Sequence, residues 1–382
     1  MPNDAQPLAG LTVVEFSTSV AAPFAGQILA DLGARVLKIE NPDGGDDARR
    51  WGPPFAANGM SAVFNALNRN KRSVTVDLKD PVALGRLKRF ISRRADIVLQ
   101  NMRPGLIRDL GLDPADLRRN APGLIWCDLA AFGATGPKRM QPGYDPLMQA
   151  CAGIMSVTGH PGQSPVRVGP SLVDQGAGMW AVIGILSALR ERDRTGRGAD
   201  VGTSLYETAL GWLPAQFASY FLTGRTPGKL GSENFGIAPY KAFEAEDGWL
   251  VIAAGNDRLF RRLTDILGDA DLAADPRFAS NPGRVANRLA LNAWLERLVR
   301  TGRRDDWIER CAAAGIPCAP VLTLDEVAAD PQFDAVGMDQ TAPGDDLRLL
   351  GLPLTFDGTR PPLRHAAPDL GDNADILGED QP

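Results

Sequence analysis

Histidine is nearly missing from this chain of 382 residues: only His160 and His365 occur. A Ser-His-Asp hydrolase needs an imidazole beside its nucleophile, and so few histidines make that chemistry a poor reading. Gly202-Thr-Ser204-Leu-Tyr206 also lacks the second glycine of a nucleophile elbow. Cysteine is scarce as well. Cys127, Cys151, Cys311 and Cys318 form neither a CxxC pair nor a Cys/His cluster, so no metal site is encoded by thiolate spacing. No GxGxxG follows the first strand-like run, and Gly224-Arg-Thr-Pro-Gly228-Lys229-Leu230 misses the P-loop in spacing and in its last residue. Nicotinamide, flavin and nucleoside-triphosphate chemistry are therefore not expected. The longest apolar stretches, 176–189 and 209–222, run to about 14 residues each, short of the roughly 20 that span a bilayer, and read better as buried helices. Residues 1–11 carry acid where a secretory segment carries base, with no apolar run behind. The expectation is a cytoplasmic protein with reduced thiols, bound neither to membrane nor to nucleic acid.

What is present is ordinary globular material: 44% apolar and 23% charged residues, with 41 Gly and 30 Pro set without a period. Such a composition excludes disorder and fibrous order and is long enough for two domains or more. Net charge is −5, yet residues 35–110 hold 15 Lys/Arg against 8 Asp/Glu. A basic stretch inside an acidic chain suits a compact polyanion such as a nucleotide phosphate, although solvated helix faces around residues 86–94 account for part of it.

The first 40 residues read as a βαβ unit: strand 11–16, a helix with Pro23 near its start and Gly33 past its end, strand 35–40. The alternation continues with strand 73–78, a helix opened by Asp80-Pro81, strand 96–100, short helices from Pro104 and Asp113, and strand 124–129. This is an α/β pattern, a parallel sheet with helices on both faces. A helix follows over 175–190. The expected organisation is a large Rossmann-like domain over 1–222, a Gly/Pro-rich linker over 223–239, and a smaller α+β domain over 240–330. That domain holds a hairpin turning at Asp247-Gly248 and helices over 257–267, 284–299 and 305–314. A C-terminal segment, 331–382, returns to the large domain.

With histidine and cysteine set aside, carboxylates remain as nucleophiles or bases. Asp145, before Pro146, reads as a turn residue or helix cap. Asp174, in Val168-Gly-Pro-Ser-Leu-Val-Asp174-Gln-Gly176-Ala-Gly178, opens an apolar helix; it is either an ordinary N-cap or a nucleophile beside glycines that admit a ligand.

Several motifs in order carry a resemblance. They are Pro7-Leu-Ala-Gly-Leu-Thr-Val-Val-Glu15, Leu29-Ala-Asp-Leu-Gly-Ala-Arg-Val-Leu-Lys-Ile-Glu40, Asn68-Arg-Asn-Lys-Arg-Ser-Val-Thr-Val-Asp-Leu-Lys79, Asn101-Met-Arg-Pro-Gly105, Gly143-Tyr-Asp145, Val173-Asp174 and Gly315-Ile-Pro-Cys-Ala-Pro320. Together they resemble the class III coenzyme A transferases, the family of formyl-CoA and carnitine-CoA transferases that includes α-methylacyl-CoA racemase. The resemblance implies an interlocked homodimer and an acyl-CoA:carboxylate CoA-transferase, with Asp174 catalytic and coenzyme A met by Val20, Ala21, Val76, Lys79, Asn101, Met102, Arg103, Arg108 and Tyr144. Asn41 stands where oxalate-type enzymes carry arginine, and Gly231-Ser-Glu-Asn-Phe-Gly236 has two glycines where those enzymes have a glycine-rich loop. Racemisation or isomerisation of an acyl-CoA by α-proton exchange is the rival reading, weakened by Tyr144 where the racemase has histidine. A CoA-binding protein without turnover is another.

Overall fold

The computed structural model describes residues 6–378. It divides into two compact units: Met1–Ile154 with Arg167–Leu222 and Pro331–Pro382, and Met155–Val166 with Thr223–Asp330.

The first unit is built on a six-stranded, all-parallel sheet of β1 (Thr12–Phe16), β2 (Arg35–Glu40), β3 (Arg72–Thr75), β4 (Ile97–Gln100), β5 (Ile125–Ala130) and β6 (Asp200–Ser204), in the order β3-β2-β1-β4-β5-β6. Strands covered on both faces need side chains that tolerate burial on both, and β1, β2 and β4 read TVVEF, RVLKIE and IVLQ accordingly. On one face, Leu87 and Ile91 of the helix Pro81–Arg94 join Val14, Leu37, Val98 and the fully buried Trp126 in one core. On the other, the helices Ala21–Asp31 and Leu172–Thr195 pack on each other and on the strands. The caps follow the sequence: Asp80 accepts from Val82 N and Asp113 from Ala115 N, each with proline at the next position. Strand β6 has no strand signature in the sequence. Its run Asp-Val-Gly-Thr-Ser is short and half polar, and it is a strand because β5 pairs with it from Trp126↔Asp200 to Ala130↔Ser204.

Sheet order reverses direction between β1 and β4, which run side by side with Val13↔Ile97 to Phe16↔Gln100 in register. Such a switch point opens a crevice beyond the carboxyl ends of the strands, where open α/β sheets take their ligands.

The second unit has a three-stranded antiparallel sheet of β7 (Tyr240–Glu244), β8 (Trp249–Ala253) and β9 (Cys318–Pro320), with the β7–β8 hairpin turning at Asp247-Gly248 as the sequence suggests. Phe243, Leu250, Phe260 and Leu295 form its core. The single helix expected over 284–299 is two, Asn281–Ala286 and Arg288–Val299, broken at Asn287. Arg284 is fully buried, and it donates to Ala238 O at 2.7 Å, Phe278 O at 2.9 Å and Asp257 Oδ1 at 2.8 Å.

Two apolar stretches differ from expectation. The helix over 175–190 extends to Leu172–Thr195, 24 residues, long and apolar enough by composition to cross a membrane. It is only half buried: Ala177, Ala181 and Ile185 face the core while Met179, Trp180 and Ile183 are about half exposed. The stretch 209–222 is broken at Pro214 into helices Leu205–Gly211 and Pro214–Thr223, and no residue of the second is buried. The reading as buried helices holds for the inner face of the first stretch and is corrected for the second.

Gly26, inside the helix Ala21–Asp31, yields a first test. A helix-interior glycine ordinarily gains about 1 kcal/mol on replacement by alanine. Here a methyl group would stand 1.7 Å from Oε2 of the buried Glu15. Gly26→Ala should instead lower the melting free energy by about 1–3 kcal/mol, and a raised Tm would mean that Glu15 has somewhere else to go.

Candidate active site

The helix Leu172–Thr195 begins without help from its own N-cap, since the Ser171 side chain accepts no capping bond. The cap comes from 28 residues earlier. Asp145, 2% exposed, turns its carboxylate onto the helix start: Oδ2 accepts from Val173 N at 2.7 Å and from Asp174 N at 3.2 Å. Oδ1 accepts from Gln149 Nε2 at 2.6 Å, and Gln149 Oε1 in turn accepts from Val168 N at 2.8 Å. The anion therefore satisfies orphan N–H groups where the helix dipole is positive, with no cation paired to it among the described residues.

This arrangement releases Asp174 from the capping role that its sequence position suggested. Asp174 is the third residue of the helix and 8% exposed, and no donor among the described residues meets its carboxylate. Burial, followed by the charge of Asp145, pushes its pKa up from 3.8 to about 7. A carboxylate so placed is basic and poorly solvated, the two properties that make an oxygen anion nucleophilic.

Gly176 and Gly178 do not leave space for a ligand, contrary to the sequence reading. A Cβ on Gly176 would lie 2.8 Å from Trp212 Cζ2, and one on Gly178 would lie 2.7 Å from Ala21 O. The glycines let this helix press against Leu205–Gly211 and against the start of Ala21–Asp31. That contact has a consequence for the site. Asp174 and Gly178 are four residues apart on one helix and share a face, so the carboxylate is on the side that carries Ala21.

Of the other residues implied in coenzyme A binding, those around Val20, Val76 and Asn101 follow the carboxyl ends of strands, whereas Arg108 and Tyr144 lie further along the chain. Val20 is the N-cap of Ala21–Asp31 and supplies no side-chain cap, which leaves the first-turn N–H groups available to an anion. Val76 follows β3; its side chain is in the core, so only its backbone can meet a ligand. Lys79 is exposed three residues on. Asn101, Met102 and Arg103 follow β4, with Arg103 exposed and Met102 packed against the core. The Asn101 side chain is engaged: its Oδ1 accepts from Thr18 N at 3.1 Å and its Nδ2 donates to Thr18 O at 3.0 Å. Arg108 is 65% exposed, and Asp113, at 3.7 Å, is its one ion-pair partner among the described residues. Tyr144, 58% exposed, precedes the helix Asp145–Cys151.

The basic stretch divides. Of its 15 cations, Lys38, Arg49, Arg69 and Lys71 are internal, ion-paired with Glu15 or Asp46, Glu40, Asp31 and Glu15 respectively. Counting charge could not separate these from Lys79, Arg103 and Arg108 at the surface.

The family model of CoA-transferase family III matches residues 8–374. The chain is 37% identical to a succinate–glutarate CoA-transferase of Agrobacterium fabrum over 99% of this chain and 97% of that one. It is 37% identical to an acetyl-CoA:oxalate CoA-transferase of Acetobacter aceti, over 97% and 95%. Among solved structures, a CAIB/BAIF family protein from Brucella suis superposes with a TM-score of 0.87 at 39% identity, covering 98% of this chain and 99% of that one. With a sheet switch point, an uncapped helix start and a nearly buried aspartate on one side of the same unit, the chain belongs to family III of the CoA-transferases and is an acyl-CoA:carboxylate CoA-transferase.

Proposed function

We propose that CoA moves from donor to acceptor through the carboxylate of Asp174. Its oxygen attacks the donor thioester carbonyl, the C–S bond breaks, and an aspartyl-acyl anhydride and CoA thiolate result. The thiolate attacks the aspartyl carbonyl and releases the donor acid as its carboxylate, leaving an aspartyl-CoA thioester. The acceptor carboxylate then attacks this thioester, and the freed thiolate takes the acceptor acyl group from the second anhydride, returning Asp174 as an anion. No bond to water forms at any step, and the acyl energy is carried over without ATP.

The observation that supports this reading most is the placement of Asp174: unbonded, nearly buried, its basicity raised, on the helix face that touches the uncapped turn at Ala21. We take that turn, with Lys79, Asn101, Met102, Arg103, Arg108 and the backbone of Val76, as the coenzyme A site. Its exposed cations suit the phosphates, and Tyr144 borders the acyl end. Short dicarboxylic acids with succinyl-CoA as donor are the proposed substrates, on the strength of the names of relatives such as the succinyl-CoA:glutarate and succinyl-CoA–D-citramalate CoA-transferases. The half-exposed stripe of Met179, Trp180 and Ile183 supports a homodimer, and a cytoplasmic location is proposed with it.

Transfer and α-proton exchange are separated by one pair of incubations. With a labelled free acid and its matching donor, label should enter the CoA ester. With a chiral 2-methylacyl-CoA in D₂O and no acceptor, no deuterium should enter the α-carbon. Acceptor-independent deuterium incorporation at catalytic rate would replace the transferase mechanism with the racemase one.

A further inference from the structure

Four charged side chains are sealed inside the first unit at the carboxyl end of β1, and the proposed chemistry uses none of them. Glu15, Lys38, Lys71 and Asp46 are all 3% exposed or less. Both oxygens of Glu15 lie 3.0 Å from Lys71 Nζ. Lys38 Nζ is 3.4 Å from Glu15 Oε1 and 2.9 Å from Asp46 Oδ2. Two cations and two anions thus balance without solvent. The helix Ala21–Asp31 carries Gly26 where any side chain would strike Glu15, so the packing around the cluster is built for it.

Burying four charges gives a fold little that a well-packed apolar cluster would not give, because desolvation offsets most of the attraction. The cluster is better understood from what its outer ends hold. Lys38 Nζ donates to Ser17 O at 2.8 Å, and Asp46 Oδ1 accepts from Ser19 N at 3.1 Å. Lys71 Nζ donates to Pro23 O at 2.8 Å. All three backbone groups belong to the turn between β1 and the helix Ala21–Asp31, or to the first turn of that helix. In this turn Ser19 sits at φ +71°, a conformation that a residue with a Cβ rarely holds unless its surroundings impose it. Thr18, between the two, is held through both its N–H and its C=O by Asn101.

We infer that the Glu15–Lys71–Lys38–Asp46 cluster is a positioning device that fixes the Ser17–Ala21 turn in the shape that receives acyl-CoA, before the ligand arrives. The inference rests on the reading of this turn as part of the coenzyme A site. The four residues are positioning residues, none of them touching substrate. The principle is preorganisation: a turn already ordered spends no binding energy on being ordered.

The test uses Glu15→Gln/Lys71→Met, which removes one charge of each sign and leaves Lys38 with Asp46. Free CoA is the probe, titrated by calorimetry into Asp174→Asn protein with and without the double change, so that covalent chemistry plays no part. The double variant should bind CoA about 10- to 100-fold more weakly, and in the Asp174 background it should raise KM for the acyl-CoA ester in the same proportion with kcat within threefold. CoA affinity unchanged within twofold would overturn the proposal. Should the double variant not fold, the wild type decides: by hydrogen exchange without ligand, the bonded turn amides of Thr18 and Ser19 should exchange as slowly as those of β1. A fast-exchanging turn that becomes ordered only on adding CoA would mean that the ligand, and not the cluster, sets its shape. If the turn is slow to exchange but CoA protects a different segment, the cluster orders the turn and the reading of the coenzyme A site is what fails.

Discussion

Asp174→Asn is expected to lose turnover by at least about a thousandfold, together with any hydroxylamine-sensitive adduct after incubation with donor acyl-CoA, while free CoA still binds. The amide keeps the shape of the carboxyl group but cannot form an anhydride, and no second carboxylate stands in its place: Asp145 is turned onto the backbone N–H groups of Val173 and Asp174. Mass spectrometry of the intact protein reads the adduct, and full activity in the variant would end the covalent mechanism. The same substitution should stabilise the protein. The folded carboxyl group holds its proton up to about pH 7, whereas in the unfolded chain it ionises near its ordinary 3.8. Stability contributed by the protonated form is therefore complete below about pH 4 and is lost as pH rises towards 7, a difference of up to about 4 kcal/mol. The Asn variant does not share that loss, so its Tm should exceed the wild type's at pH 8 and match it near pH 4. Equal Tm at both pH values would show that Asp174 ionises as an ordinary carboxylate.

Asp145→Asn is expected to move the pH dependence of the first half-reaction. With the neighbouring anion gone, Asp174 is left with burial alone as the cause of its raised pKa, and its ionisation falls from about 7 towards the ordinary range. The acid limb of adduct formation should shift to lower pH. The plateau at pH 8 should fall by about 10- to 100-fold, because a less basic carboxylate is a weaker nucleophile and the amide caps the helix less well. KM for the CoA ester should hardly change, since Asp145 is buried and its carboxylate is taken up by Val173 N, Asp174 N and Gln149. A lower plateau with an unmoved acid limb would reduce Asp145 to a purely structural cap. Stopped-flow or quenched adduct formation between pH 5 and 9 makes the distinction.

Elements with local signals were legible in the sequence, and contacts across the fold were not. Asp80-Pro81 and Asp113-Pro114 announce helices because capping and a preset φ are local chemistry, and both helices are present. The run Arg35–Glu40 was read to the residue, since a strand buried on both faces writes a continuous signature. Asp145 shows the limit. Its local pattern reads as a turn residue or a cap of the helix it opens, but that helix has Tyr144 as its N-cap; the helix Asp145 does cap begins at Leu172, and no local window contains both. Gly176 and Gly178 were misread for the same reason: a missing side chain looks alike in sequence whether a ligand or Ala21 fills the space. Charge counting met a similar boundary at Lys38 and Lys71, whose partner Glu15 stands at least 23 residues away and whose direction, inward, has no composition of its own.

The division of the chain sets an order of assembly. The second unit is drawn from residues no later than Asp330, whereas the first is completed by Pro331–Pro382. Residues 364–373 of that segment are an integral part of the sheet's surroundings. Asn70 N donates to His365 O at 3.0 Å, and Asn70 Oδ1 accepts from Arg364 N at 2.7 Å and His365 N at 2.9 Å. Arg49 Nη1 donates to Pro368 O at 3.1 Å, and Asn373 N reaches Ser73 O at 3.1 Å. On the ribosome, the part made first therefore waits for the part made last, while the inserted unit has all its residues earlier and is free to fold ahead of it. A chain released short of residue 360 would hold every residue of the second unit, while Asn70, Ser73 and Arg49 on the β3 side of the sheet would still lack these partners.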